Sequence, residues 1–308
     1  MLDSLIQGIL LGGYYAVLAA GLSLMFGVVR FINLAHGDMA VLGALGSLWL
    51  VQSAGVVVPL AIVITLIGMA ALGWLMQRFI FERALAGGFL IPILTTIGLG
   101  AALQNGMFAA FGSNTQSLGA HIGNLSWSSW QLPGGIIVGQ LPVYMFATAV
   151  LVLGSLHLLL TRTAFGRAVR STSTDAEAAS LCGVDPRKVH RWAAAIAVAL
   201  AGLAGIFLAM RAQVTPFSGP MMLIFAFEAV VIGGIGSLRG TLIGGIVLGV
   251  VQALGALISP QISILAGHLV FLAVLGWRLM HVAASERGGW RAALKAVFNK
   301  PDLSRSQA

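Results

Sequence analysis

Long apolar segments separated by short polar connections are the feature that most constrains what this chain can fold into. A helix needs about 20 apolar residues to cross roughly 30 Å of hydrocarbon, because unpaired backbone groups cannot face lipid. Several stretches of the sequence approach this length, and only 8% of all residues are charged, against roughly 25% in an average soluble domain. The pattern predicts an all-α polytopic membrane protein.

The apolar segments predict eight or nine transmembrane helices. The N-terminal segment lacks the basic region of a signal peptide, so we expect it to be retained as the first span. Segments 31–51 and 221–238 are interrupted by Gly and polar residues, so either could be a broken or re-entrant segment. The predicted spans are 5–28, 31–51, 56–77, 90–112, 142–160, 192–210, 221–238, 240–258 and 262–281.

Lys and Arg residues beside the spans predict the orientation, because positive residues that flank spans stay cytoplasmic. They form three groups, at 78–83, 162–191 and 278–305. With all three groups inside, nine spans alternate without conflict, and Arg211 alone among the basic residues lies outside. This predicts a bacterial inner (plasma) membrane protein with its N-terminus outside and its C-terminus cytoplasmic.

The same arrangement predicts one transmembrane domain, 1–285, followed by a cytoplasmic tail, 286–308. Its main external loop is 113–141, which contains no Lys, Arg, Asp or Glu. Trp127 and Trp130 in this loop suit a membrane interface. The loop is either a docking surface for an external partner or a connector that rests on the interface.

The cytoplasmic loop 161–191 has strong helix-boundary signals. Thr174 stands three residues before Glu177, which is the capping-box spacing, and Asp175 adds negative charge to the first turn. Gly183 predicts a left-handed end to this short helix, and 185–186 (Asp-Pro) predicts the start of a second short helix, 185–191. From composition alone, the loop is either a solvated connector or a surface that a partner protein grips.

One sequence pattern in this loop favours the partner surface. Glu177, Ala178 and Ala179, followed after three residues by Gly183, resemble the core of the coupling motif of bacterial ABC-importer permeases, where ATPase subunits dock. The resemblance implies an ATPase-coupling role for these four residues and for the neighbouring Asp175. The Ile-x-Leu-Pro continuation found in some importer classes is absent, so that subclass is not assigned.

Two further stretches, 21–44 and 227–255, resemble the permeases of branched-chain amino acid importers, specifically the shorter of the two membrane subunits. The resemblance runs from about 5 to 275, and only the ending "LGWRLMHVAASERGGW" departs from the family pattern. It implies an ABC-importer permease fold and ATP-driven import of leucine, isoleucine or valine, with urea and short amides as alternative substrates. Implied partners are a second permease subunit of the LivM type, two cytoplasmic ATPase subunits and an external solute-binding protein. ATP and Mg would be used by the ATPases, with no cofactor in this chain.

Polar residues inside predicted spans mark candidates for the translocation path. Asn33, His36 and Asp38 lie in a segment otherwise suited to lipid, where ionisable groups are costly and usually face a bundle interior or water. Alternatively, Asn33 or Asp38 caps the following helix. Glu228 either lines the path or pairs with Arg239 or Arg211. A zinc site would need more ligands than these residues supply.

Other features narrow the biochemical class. Gly236, Gly240 and Gly244 repeat every fourth residue, a spacing that predicts close helix packing rather than a phosphate-binding loop. The sequence has no P-loop, catalytic triad or Cys cluster, so we expect no enzymatic activity, and its basic residues punctuate apolar segments instead of forming a nucleic-acid surface. A stand-alone secondary transporter, with Asp38 and Glu228 as proton-coupling acids, and a structural scaffold are the other functions considered.

Overall fold

The computed structural model describes residues 1–88, 90–132 and 135–287, which are almost entirely helical. A π-helical turn, Gln77–Phe81, joins the third helix to the fourth, and a two-stranded antiparallel hairpin, β1 (Ser129–Leu132) and β2 (Ile136–Gly139), precedes the sixth. The helices are α1 (Leu2–Val29), α2 (His36–Gln52), α3 (Val58–Met76), α4 (Glu82–Leu85), α5 (Leu90–Phe111), α6 (Gln140–Arg162), α7 (Ala164–Thr174), α8 (Ala176–Leu181), α9 (Pro186–Arg211), α10 (Gly219–Gly233), α11 (Leu238–Ala256) and α12 (Pro260–Arg287).

Among the described residues, seven helical segments are long and apolar enough to cross a membrane. They are α1, the continuous helix Val58–Leu85, α5, α6, α9, α11 and the Pro260–His281 part of α12. The two interrupted spans correspond to shorter helices, α2 with 17 residues and α10 with 15. The predicted polytopic helical fold is confirmed, and the predicted helix number is approximate because these two segments are not continuous spans.

The segment 31–51 traverses the bundle as an extended stretch followed by α2. Arg30, in the left-handed conformation at φ 62°, ends α1 and donates a hydrogen bond to the Ser173 carbonyl in the last turn of α7. α2 then begins near the middle of α1, where His36 Nε2 lies 3.0 Å from the Leu18 carbonyl. Its last turn reaches the opposite end of the bundle, where Val51 and Met210 line one cavity.

A second interruption follows α9. The stretch 212–218 leaves the end of α9 without helical structure, and α10 then begins inside the bundle, next to the first turn of α2. α10 runs toward the end that carries α7 and α8, because Gly236 and Arg239, which follow α10, line one cavity with Val169 and Ser173 of α7. At the same end, Arg278 of α12 donates a hydrogen bond to the Ile232 carbonyl of α10. α2 and α10 therefore start at the same depth and run to opposite ends of the bundle.

α1 passes through the centre of the bundle, and it packs against α11 through glycines. A Cβ on Gly12 would overlap the Ile246 backbone, and a Cβ on Gly249 would lie 2.6 Å from the Gly12 nitrogen. Small residues at this spacing let two backbones approach closely inside a membrane. The close contact holds the central helix against α11 along much of its length.

The two ends of the bundle differ in charge. Arg191 in α9 forms a bidentate ion pair with Glu82 in α4, at 2.6 and 2.9 Å, which brings the first two basic groups of the sequence together. Arg278 also lies at this end, which we call the α8 end. Arg211 lies at the other end, with β1 and β2, which we call the hairpin end. The charge distribution matches the predicted alternation, whereas the side that faces the cytoplasm stays a prediction, and most of the predicted tail lies outside the described residues.

Candidate translocation path and coupling surface

The first turns of α2 and α10 meet at Asp38. A Cβ on Gly219 would overlap Asp38 Oδ1 and lie 2.8 Å from the Asp38 nitrogen, and a Cβ on Gly37 would overlap the Gly219 carbonyl. Only glycine lets the two helix starts approach this closely. Because helix N-termini carry partial positive charge, two of them converging on one point favour a carboxylate there.

Asp38 is buried and is held by α5. Gln104 Nε2 donates a hydrogen bond to Asp38 Oδ1 at 2.9 Å, and a Cβ on Gly100 would lie 2.7 Å from Asp38 Oδ2. Within the described part of the chain, no Lys, Arg or His forms a salt bridge with this carboxylate. The Asp38 carboxylate therefore lies near the middle of the bundle, between the N-termini of α2 and α10 and the side-chain amide of Gln104. We call this arrangement the Asp38 junction.

Asn33 and His36 stabilise the interruption that precedes α2. Asn33 Oδ1 accepts a hydrogen bond from the Ala35 nitrogen at 3.1 Å, and both Asn33 and His36 are fully buried. The cap prediction was wrong: α2 begins at His36 after Ala35, and neither Asn33 nor Asp38 caps it with its side chain. The reason is local. Asn33 Oδ1 bonds the nitrogen of Ala35, the residue before α2, and so stabilises the bend that follows α1.

Glu228 pairs with His268 rather than with an arginine. His268 Nδ1 and Glu228 Oε1 are hydrogen-bonded to each other. The predicted pairing with Arg239 or Arg211 was wrong because both arginines lie at ends of the bundle: Arg239 contacts His157 at 2.9 Å, and the Arg211 guanidinium lies 5.6 Å from the centre of the Tyr14 ring. Sequence reasoning missed His268 because nothing local in its span marks it.

The coupling loop folds as three consecutive helices, α7, α8 and the start of α9. Asp175, not Thr174, caps α8: Asp175 Oδ1 accepts hydrogen bonds from the nitrogens of Glu177 at 2.9 Å and Ala178 at 3.0 Å. Thr174 is unavailable because it ends α7, where its hydroxyl donates to the Arg170 carbonyl. The predicted capping box at Thr174 was therefore wrong by one residue.

The end of α8 follows the predicted pattern. Gly183 has a φ of +82°, which confirms the left-handed stop, and Asp185 Oδ1 accepts a hydrogen bond from the Arg187 nitrogen at 3.0 Å, which confirms the second cap. The helix that starts at Pro186 does not end near 191 as predicted. It continues to Arg211, so α8 is joined to a transmembrane helix by only four residues.

α8 presents a mixed surface to the outside of the bundle. Ala179 is buried, whereas Glu177 and Ala178 are exposed, and Leu181 is 87% exposed. Of the four residues of the sequence motif, Ala179 packs inward, whereas Glu177, Ala178 and Gly183 are exposed.

The repeated glycines lie at two different kinds of position. A Cβ on Gly240 would overlap the Gly233 carbonyl, and a Cβ on Gly244 would lie 2.6 Å from the Gly233 nitrogen, so both stand in the contact between α10 and α11. Gly236 is not helical: it lies in the turn between these helices at a φ of +80°, with its backbone against Gly27. Among the described residues, no cluster of three or more His, Cys, Asp or Glu side chains could hold a metal.

Comparison with known proteins identifies the family of this chain. The family model described as the permease component of the branched-chain amino acid transport system matches residues 4–276. The chain belongs to this permease family. No solved structure gives a significant match.

The chain is similar to several named permeases of the family. It is 30% identical over 265 residues to the high-affinity branched-chain amino acid transport system permease protein BraD of Pseudomonas aeruginosa, covering 83% of this chain and 86% of BraD. It is 29% identical over 293 residues to LivH of Salmonella typhimurium, covering 89% and 92%. A probable LivH of Methanocaldococcus jannaschii is 28% identical, covering 77% and 76%. The chain is thus a multi-pass membrane protein related to transport permeases along most of its length.

In this member of the permease family, the hairpin end holds a cavity of about 550 Å³. It lies between α1, α6 and the loop 113–141, and its lining includes Gln7, Tyr14, Trp127 and Arg211. The Tyr14 hydroxyl lies 3.2 Å from the sulfur of Met222, which is in the first turn of α10. Tyr14 therefore separates this cavity from the α10 side of the Asp38 junction.

Proposed function

We propose that the chain is one membrane-spanning subunit of an ATP-driven importer for branched-chain amino acids. The observation that carries this proposal is the family match over residues 4–276, and similarity to BraD and LivH supports leucine, isoleucine or valine as substrate. The subunit lies in the bacterial inner membrane with the α8 end in the cytoplasm, because the basic residues gather at that end. The hairpin end then faces the source of the substrate.

Transport by this chain requires other subunits. Its partners are a second permease subunit of the LivM type, two cytoplasmic ATPase subunits that bind ATP and Mg, and a solute-binding protein on the hairpin side. α8 is the ATPase contact: the exposed Glu177, Ala178 and Leu181 meet the ATPase, while the Asp175 cap and Gly183 fix the shape of the helix. Movement of the ATPases then acts on α9 directly.

The path runs past the Asp38 junction. Non-helical backbone at membrane depth is tolerated where it is buried in protein or lines a water-filled cavity, and short helices that start at mid-depth form the substrate sites of many transporters. Asp38 lines the path in this proposal, whereas Asn33 and His36 hold the bend that positions it. An amino acid carries an ammonium group that a buried carboxylate attracts, so Asp38 suits such a substrate.

Reconstitution tests the proposal. The chain, its second permease, the ATPases and the binding protein are placed in liposomes, and ATP-dependent uptake of radiolabelled leucine is compared with uptake of urea. We expect leucine uptake that requires all subunits. Uptake of urea but not leucine would refute the substrate assignment. Uptake by the chain alone, driven by a pH gradient, would instead identify a secondary transporter.

A further inference from the structure

A groove on the outside of the bundle runs between α10, α12 and the extended stretch before α2. Its volume is about 510 Å³, and Glu228 and His268 lie among otherwise apolar residues. Its apolar lining includes Ile32, Leu34, Leu223, Phe227, Phe271 and Leu272. We call it the α10–α12 groove.

The groove lies near the middle of the membrane. Tyr15 is the fourteenth of the 28 residues of α1, and its ring is 5.4 Å from the ring of Phe225 in α10. Phe225 in turn stacks on His268 with ring centres 6.5 Å apart. The three rings form a row that places the imidazole at the depth of the centre of α1.

The polar groups at this depth argue against contact with lipid. Glu228 is 2% exposed, and its Oε2 atom has no hydrogen-bond partner, whereas His268 is 39% exposed toward the outside of the bundle. An ionisable side chain near the centre of a bilayer is costly and almost always faces protein or water. A half-exposed imidazole held by a buried carboxylate therefore indicates that something other than lipid covers this face.

The backbone gives an independent argument. The stretch 31–35 has no regular helical hydrogen bonding, and Ile32 and Leu34 of this stretch form one wall of the groove while remaining partly exposed. Irregular backbone inside the hydrocarbon region is tolerated only where protein buries it or where it lines a water-filled cavity. Lipid is thus excluded on two grounds, and the apolar lining favours protein over water.

We propose that the second membrane subunit of the importer covers the α10–α12 groove. A helix of that subunit places bulky apolar side chains against Leu223, Phe227 and Leu272. It also carries a hydrogen-bonding group opposite His268 Nε2, since Nδ1 is already engaged by Glu228. This assignment rests on the proposed function, because it requires that the importer contain a second membrane subunit.

Spin labels in the complete importer test the assignment. In a Cys182→Ser background, Leu272→Cys places a label in the groove, where Leu272 is 56% exposed. Leu151→Cys is the matched control on α6, where an apolar side chain is 72% exposed and lines none of the groove. Power saturation with oxygen and with a water-soluble nickel chelate measures exposure to lipid and to water, respectively.

We expect the label at 151 to be readily accessible to oxygen. Access of either reagent to the label at 272 should be several-fold lower than that value. A bifunctional thiol reagent should also cross-link Leu272→Cys to a cysteine on the second subunit. High oxygen access at 272 would overturn the proposal, because the groove would then face lipid. High nickel access would overturn it in favour of a water-filled path, and a cross-link to another copy of this chain would replace the proposed occupant.

These measurements are separable from the test of transport. They report on the surroundings of one side chain in the assembled complex and do not require uptake of any amino acid. An importer that moves a different substrate would leave the labels as predicted, whereas an importer that moves leucine with a lipid-facing groove would refute only the interface.

Discussion

Substitution of Gly219 by Ala tests the central contact of the site, the meeting of α2 and α10. The added Cβ would overlap Asp38 Oδ1 and lie 2.8 Å from the Asp38 nitrogen. The carboxylate can rotate away, but the backbone nitrogen cannot, so the first turns of the two helices must separate. Overpacking of this kind costs about 1–3 kcal/mol. The same shift displaces Asp38 from Gln104 and thereby alters the proposed path.

Gly46→Ala is the matched control, because Gly46 lies in α2 and a Cβ there meets nothing within 4 Å. In a helix interior, Ala is favoured over Gly by roughly 0.5–1 kcal/mol, so the control should be as stable as the parent or more so. Thermal unfolding of each purified variant, followed by tryptophan fluorescence, and uptake by the reconstituted importer measure the two effects. Equal melting temperatures and equal uptake for the two variants would refute the close contact at the Asp38 junction.

Three further variants test the coupling helix, the path and the α8 end. Asp175→Ala removes a cap worth about 1 kcal/mol, so fewer ATPase subunits should copurify with it. Asp175→Asn can still cap α8 and should retain the ATPases, and equal ATPase copurification with both variants would contradict the proposed role of α8. Asp38→Asn keeps the side-chain volume and removes the charge between two helix N-termini, so leucine uptake should fall while ATPase copurification is unchanged. Full leucine uptake by this variant would show that transport does not need the Asp38 charge. Arg191→Gln and Glu82→Gln should each lower the melting temperature, because each leaves one partner without its counter-ion. The double variant should lower the melting temperature by less than the sum of the two single effects, and strict additivity would show that the pair does not interact.

The sequence predicts features that depend on local composition. Span positions follow from apolar length, and the two segments with internal Gly and polar residues are the ones that the structure forms as short helices, α2 and α10. Gly183 and Asp185 could also be assigned in advance, because a left-handed stop and an N-cap are set within a few residues. Thr174 shows the limit of such signals: two adjacent residues could cap α8, and the extent of α7 decided between them.

Contacts between distant residues were beyond sequence reasoning for a physical reason. Gln104 reaches Asp38 across 66 positions, and His268 reaches Glu228 across 40. Each partner is an isolated polar residue in an apolar span, and its role depends on which helix faces which. That choice is made by close packing at glycines such as Gly37 and Gly219, whose need for space is visible only once both helices are placed.

The continuity of α9 connects the proposed ATPase contact to the proposed path. Four residues separate α8 from α9, and α9 runs unbroken for 26 residues to the interruption that precedes α10. On the way it crosses α2 with almost no clearance: a Cβ on Gly43 would lie 2.5 Å from the Gly202 Cα, and a Cβ on Gly205 would overlap the Ala40 carbonyl. Interfaces packed this closely shift between discrete arrangements instead of deforming gradually. In the proposed mechanism, a displacement of α8 by the ATPase is passed to α9, and α9 displaces α2 through this close contact. α10 follows α9 in the chain, so both short helices that meet at Asp38 are joined to α9, one by packing and one by the backbone.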